Sequence, residues 1–96
     1  MTPLSAPLTT LETMMTSVDY EVACQILGQL IAHQVAVLAH EDMQRQPDIE
    51  RATAADAERK ALVTLRDALQ PYDSQAIQFV LSEFGPRARQ LNADRS

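Results

Sequence analysis

The segment from Asp19 to Gln46, DYEVACQILGQLIAHQVAVLAHEDMQRQ, contains no Pro and only one Gly. A helix carried across it is far longer than the ~11–12 residues of an average one. Its apolar residues recur at helical spacing. At 100° per residue, Ala23, Cys24, Ile26, Leu27, Leu30, Ile31, Val35, Val37 and Leu38 occupy an arc of about 180°. Gln25, Gln29, His33, Ala36 and His40 lie on the other side. A helix facing a single core gets by with a stripe of about 100°. The surplus width calls for two packing partners: other helices of the chain, a second subunit, or both. Cys24, Gly28, Ala32 and Ala36 add a ridge of small residues at i, i+4 spacing. Gly inside a helix costs about 1 kcal/mol relative to Ala, so its use at position 28 fits the close approach of another helix.

The remaining chain breaks into shorter pieces. Pro3 and Pro7 make residues 1–8 an extended, flexible arm. Thr9 or Thr10 caps a short helix bearing Leu11, Met14 and Met15, and Ser17 and Asp19 end it and start the long one. Pro47 stops the long helix. Thr53 to Asp56 resembles a capping box for a helix from Ala54 to about Gln70. That helix carries one apolar stripe of Ala54, Ala57, Ala61, Leu62, Leu65, Ala68 and Leu69. A short further helix is capped by Asp73 or Ser74, places Ala76, Ile77, Val80, Leu81 and Phe84 on one face, and stops at Gly85-Pro86, after which residues 86–92 can add one more turn with Leu91 docking back. Residues 92–96 form a frayed tail.

The expected fold is therefore all-α. A small bundle is built on one long helix antiparallel to a second, with short N-terminal and C-terminal helices. Ninety-six residues fit one domain spanning 1–96. Aromatics are only 4% and Trp is absent, so aliphatic side chains must fill the core.

Charge and composition exclude several functions. The net charge is −5. Up to Gln44 there are acids (Glu12, Asp19, Glu21, Glu41, Asp42) and no Lys or Arg. General nucleic-acid binding needs cations to neutralise phosphates, so nucleic acid is not an expected partner. A helix-turn-helix spanning 54–84 would expose Gln75, Gln78, Ser82 and Glu83, with no basic residue among them. Only Arg87 and Arg89 beyond it are left to meet DNA, which makes a DNA-binding regulator the lesser alternative. Gly28 and Gly85 are the only glycines, so no phosphate-cradling loop exists.

Chemistry is equally sparse. His33 and His40 are seven residues apart, roughly 10 Å along a helix, too far to share a metal. Cys24 projects away from both, without a base to activate it. No catalytic residues, metal or cofactor are expected, and the chain reads as non-enzymatic. A lone cysteine permits no intrachain disulfide, and the first residues lack a signal-peptide pattern. The polar side chains Gln25, Gln29, His33, Gln34 and His40 argue against a membrane span. A cytoplasmic protein with no membrane partner is expected.

A protein partner is left. The second helix cannot cover the longer first one, so an apolar strip should stay exposed, and such strips mark interfaces. A homodimer seam through Leu27, Ile31, Val35 and Leu38 is expected. Glu41, Asp42, Asp48 and Glu50 form an acidic patch at one end of the hairpin, and Phe79 points off the stripe of its own helix; these are the candidate partner-binding residues. The expected role is an accessory, adaptor or regulatory subunit. The alternative is a small acidic inhibitor of the anti-defence type, such as an anti-CRISPR, that occludes a basic nucleic-acid-binding surface.

Overall fold

A computed structural model describes residues 6–95, with side chains described from Val18 to Asp94. Three helices account for nearly all of it: α1 (Ala6–Asp42), α2 (Ile49–Ala68) and α3 (Ser74–Arg95). No strand occurs among the described residues. α1 packs against both α2 and α3, while the α2 and α3 backbones do not approach each other closely. The molecule is elongated, 69 × 28 × 17 Å, because α1 alone is 37 residues, or about 55 Å.

The expected short N-terminal helix does not exist as a separate element. α1 runs unbroken through Ser17 and Asp19. No Pro or Gly lies between Pro7 and Gly28, and Ser and Asp inside a helix each cost only tenths of a kcal/mol, so nothing forces the ladder to stop. Asp19 accepts a hydrogen bond from Gln78 Nε2 of α3 at 3.3 Å instead of capping a new helix. Pro7 lies in the first turn, where its missing N–H is no loss. Residues 1–5 of the expected arm lie outside the described residues; residues 6–8 are helical.

α2 begins earlier than the Thr53 capping pattern implies. Asp48 is the N-cap, extended in backbone, and accepts the Arg51 N–H at 3.0 Å. α2 ends at Ala68, and the buried Leu69 turns the chain while its N–H still bonds to Leu65 and Arg66 carbonyls. Asp73 caps α3 as expected, taking the Ala76 N–H at 3.1 Å.

The Gly85-Pro86 stop is also overridden. α3 continues to Arg95, so it is 22 residues and not a short helix. Gly85 does not adopt the left-handed conformation that a glycine stop needs. It is buried and faces Ile26. Beyond it Ala88 is buried and Leu91 packs on the core. Pro costs about 3 kcal/mol inside a helix; burial of this last apolar turn and its continuing hydrogen bonds offset that cost. Ser96 lies outside the described residues.

The core joins all three helices. Ala23, Leu27 and Leu30 of α1 meet Leu62 of α2, Leu69 and α3's Ile77 and Val80. Leu27, Leu62, Ile77 and Val80 are the largest fully buried side chains. Arg87 of α3 reaches Glu58 of α2 at 2.7 Å and lies 5.2 Å over the Phe84 ring, tying the two helices by side chains.

Val18–Asp42 is long and apolar enough to cross a membrane, despite its Gln and His residues. The core helix of a bundle can have the same composition, and here Ala23, Leu27 and Leu30 pack on the chain's other helices.

Candidate interaction surface

Among the described residues two sides of α1 are covered, and a third is partly open. On the helical wheel the buried Ala23, Leu27 and Leu30 lie together, and Ile26 and Asp19 flank them toward α3. The opposite flank carries Cys24, Gly28, Ile31, Val35 and Leu38. Their spacing alternates four and three, the repeat of a helix seam. Cys24, Gly28, Ile31 and Leu38 are half-buried, and Val35 is 48% exposed. A Cβ placed on Gly28 would meet nothing within 4 Å. The close approach of a second helix expected at this glycine is not made among the described residues.

At its C-terminal end this flank opens into a groove. Val35, Leu38 and Ala39 of α1 form one wall; Pro47, Ile49 and Ala52 form the other, and Glu41 and Asp42 complete the lining. Ile49 is 69% exposed, although its side chain gains about 1.5–3 kcal/mol when fully buried. Periodicity alone does not single out Ile49 and Ala52. The only signal in the sequence is an isolated Ile in an otherwise polar connector, and its meaning depends on α2 starting at that residue.

The predicted seam residues part company. Val35 and Leu38 line the open groove and Ile31 packs partly against the core, but Leu27 is at zero exposure within that core. It has no surface left for a partner.

The predicted acidic patch is divided in the same way. Glu41 is only 6% exposed. It accepts the Asp48 backbone N–H at 2.8 Å and faces Arg51 Nε at 3.7 Å, so it closes the α1–α2 connection. Asp48 is occupied as the α2 cap. Asp42 and Glu50 are exposed. Phe79 is half-exposed, and its ring meets Phe84 edge-on, with centroids 6.0 Å apart. It lies on α3, away from the residues lining the α1–α2 groove.

The remaining polar groups do not converge on chemistry. His40 contacts Gln44 at 3.3 Å. His33 lines a separate polar cleft with Arg51, Glu58 and Arg87, but Arg87 and Glu58 are already paired there. Among the described residues, no group of three or more His, Cys, Asp and Glu could hold a metal. Cys24 is a free, half-buried thiol. It lies beside Tyr20, whose phenol is pushed above its usual range by hydrogen bonding to Cys24, by that thiol's charge and by burial. Compared with protein families, curated proteins and solved structures, the chain matches none.

Proposed function

We propose that the chain is a non-enzymatic protein–protein interaction module that works as a homodimer, in the role of an accessory, adaptor or regulatory subunit. In this reading α1 and α2 form an antiparallel hairpin closed by Glu41 and Asp48. The hairpin presents the open flank of α1, with Ile49 and Ala52, to the second copy.

One observation carries the reading: an apolar groove of Val35, Leu38, Ala39, Pro47, Ile49 and Ala52 stays open among the described residues. Val35 and Ile49 are aliphatic, β-branched side chains held at high exposure. A chain that folded only for itself would gain by making them polar.

Light scattering across a concentration series tests this. The expected mass is twice 10.6 kDa, falling to the single-chain value in Val35→Glu. Val35 is already solvent-exposed in the chain, so the substitution leaves the fold intact, as helix content by circular dichroism would verify. A wild-type mass of one chain at every concentration would overturn the reading.

A further inference from the structure

The cleft beside His33 draws polar side chains from all three helices. His33 and Gln34 come from α1, Arg51 and Glu58 from α2 and Arg87 from α3, around a volume of about 440 Å³. Small-molecule sites typically enclose about 300–1,000 Å³. The chain has a net charge of −5, yet two arginines and a histidine face this one cleft, with Glu58 as the single acid in its lining. Glu41 lies 3.7 Å from Arg51 Nε but lines the apolar groove instead. The lining of the cleft is therefore positive on a negative molecule, a local field that favours an anion.

Its donors are only partly used. Arg87 donates from Nη2 to Glu58 Oε1 at 2.7 Å, and its guanidinium stands 5.2 Å from the centre of the Phe84 ring. These contacts hold Arg87 in place and leave most of its five N–H groups unpaired. The Arg51 side chain makes no hydrogen bond, since 3.7 Å to Glu41 is too long for one. The side chains of His33 and Gln34 have no partner among the described residues. Arg51 and Glu58 are seven residues apart on α2, roughly 10 Å along the helix, so Arg51 and Arg87 stand at opposite ends of the cleft. The small side chains of Ala54 and Ala55 leave the space between them open. An anion placed there must compete with Glu58 for Arg87. A monocarboxylate would only replace one single charge by another. A phosphate dianion brings more charge and a third acceptor oxygen, and guanidinium forks match its geometry. Arg87 and Glu58 are 44% and 37% exposed, so parting them weakens binding by no more than about fivefold.

We infer that this cleft is a phosphate-binding site, which takes a dianionic phosphate, free or as the end group of a small monoester, between Arg51 and Arg87. His33 and Gln34 supply further donors from α1. Glu58 holds Arg87 over the cleft and yields it to the phosphate. The site is separate from the apolar groove and does not depend on the dimer reading.

Titration of the full chain followed by NMR tests this, at constant ionic strength and about pH 8, where a phosphate monoester is dianionic. The probes are inorganic phosphate, phenyl phosphate and, as the single-charge control, acetate. Both phosphates are expected to shift the side-chain N–H signals of Arg51, Arg87 and Gln34 to saturation, while acetate at the same concentration leaves them in place. Saturation by inorganic phosphate alone assigns the free ion, and tighter saturation by phenyl phosphate assigns a monoester. Arg51→Gln and Arg87→Gln are each expected to raise the dissociation constant by about tenfold or more. Glu58→Gln removes the competing carboxylate and is expected to lower it by about twofold to fivefold. All three side chains are partly exposed, so the variants keep the helix content of the wild type, as circular dichroism would verify. No saturation with either phosphate, or equal saturation with acetate, overturns the site. Phosphate binding that is indifferent to Arg51→Gln and Arg87→Gln places the anion elsewhere and overturns it too. A Glu58→Gln variant that binds phosphate no more tightly overturns the exchange at Arg87.

Discussion

Removing the Glu41 carboxylate should open the connection between α1 and α2. Glu41 is the one buried charged side chain among the described residues, and both its contacts reach across the turn. Its Oε1 accepts the Asp48 N–H at 2.8 Å, and Oε2 lies 3.7 Å from Arg51 Nε. Hydrogen bonds to charged groups contribute about 1.5–3 kcal/mol. Arg51 is itself largely exposed, so its ion pair adds only about 0.2–1 kcal/mol. Glu41→Ala should therefore cost about 2–3 kcal/mol, or roughly 10–20 °C of melting temperature in a domain this size. Glu41→Gln keeps an acceptor for the Asp48 N–H and should cost about 1 kcal/mol or less. Arg51→Ala should cost less than about 1 kcal/mol. Urea unfolding at one fixed protein concentration measures all three, since association adds to apparent stability. If Glu41→Ala came within about 0.5 kcal/mol of wild type, in the range of ordinary surface changes, the turn would not depend on this carboxylate. If Glu41→Gln were as costly as Glu41→Ala, the charge and not the bond to Asp48 would be what matters. If the proposed dimer forms, the effect should extend to it, because this turn places Pro47, Ile49 and Ala52 beside Val35 and Leu38.

Three further outcomes follow from the same geometry. Leu62→Ala removes a fully buried side chain where α2 meets the α1 core and should cost about 2–5 kcal/mol by denaturant titration; a loss under about 1 kcal/mol would mean that the α2 packing is wrong. Pro86→Ala restores the N–H that α3 lacks at an exposed position and should stabilise by about 2–2.5 kcal/mol, the helix penalty less the stiffness Pro gives the unfolded chain; destabilisation would show that α3 stops at Pro86. Asp56 is bonded to Arg59 and Lys60, which hold its carboxyl below the usual 3.8. A depressed folded pKa stabilises the fold above the unfolded value and loses that contribution as pH falls through the folded one. The stability gap between wild type and Asp56→Asn should thus persist from neutral pH down to about 4 and vanish at lower pH, whereas a gap indifferent to pH would exclude the ion pairs as its source.

Much of this architecture is legible in the order of residues. The unbroken helical pattern from Asp19 onward, the stripe centred on Leu62 and the spacing of Ile77 and Val80 all report burial on one side of a helix, because side-chain direction along a helix is set by geometry alone. The same pattern gives α1 a wider apolar arc than one packing partner needs, and among the described residues Val35 of that arc stays exposed. Stops are less legible. Ser17, Asp19 and Gly85-Pro86 have the composition of helix ends, yet each is read through. A cap or a glycine makes stopping cheap without making it compulsory, and the carbonyl ladder continues wherever the next turn has something to bury.

What only the tertiary structure decides is how the individual side chains are used. Glu41 and Asp42 are neighbours in sequence, but 100° of rotation puts one carboxylate against the Asp48 N–H and leaves the other in water. Leu27 and Val35 belong to one apolar arc, but α2 and α3 approach from the side that holds Leu27, which buries it completely and leaves Val35 at the open edge. Ile49 gains meaning only when α2 starts beside it and sets it across from Leu38. Helical periodicity determines which residues of α1 are apolar and on what arc they lie. Where on that arc the neighbouring helices settle is a matter of packing between elements distant in sequence, and it is that choice which separates core from candidate interface.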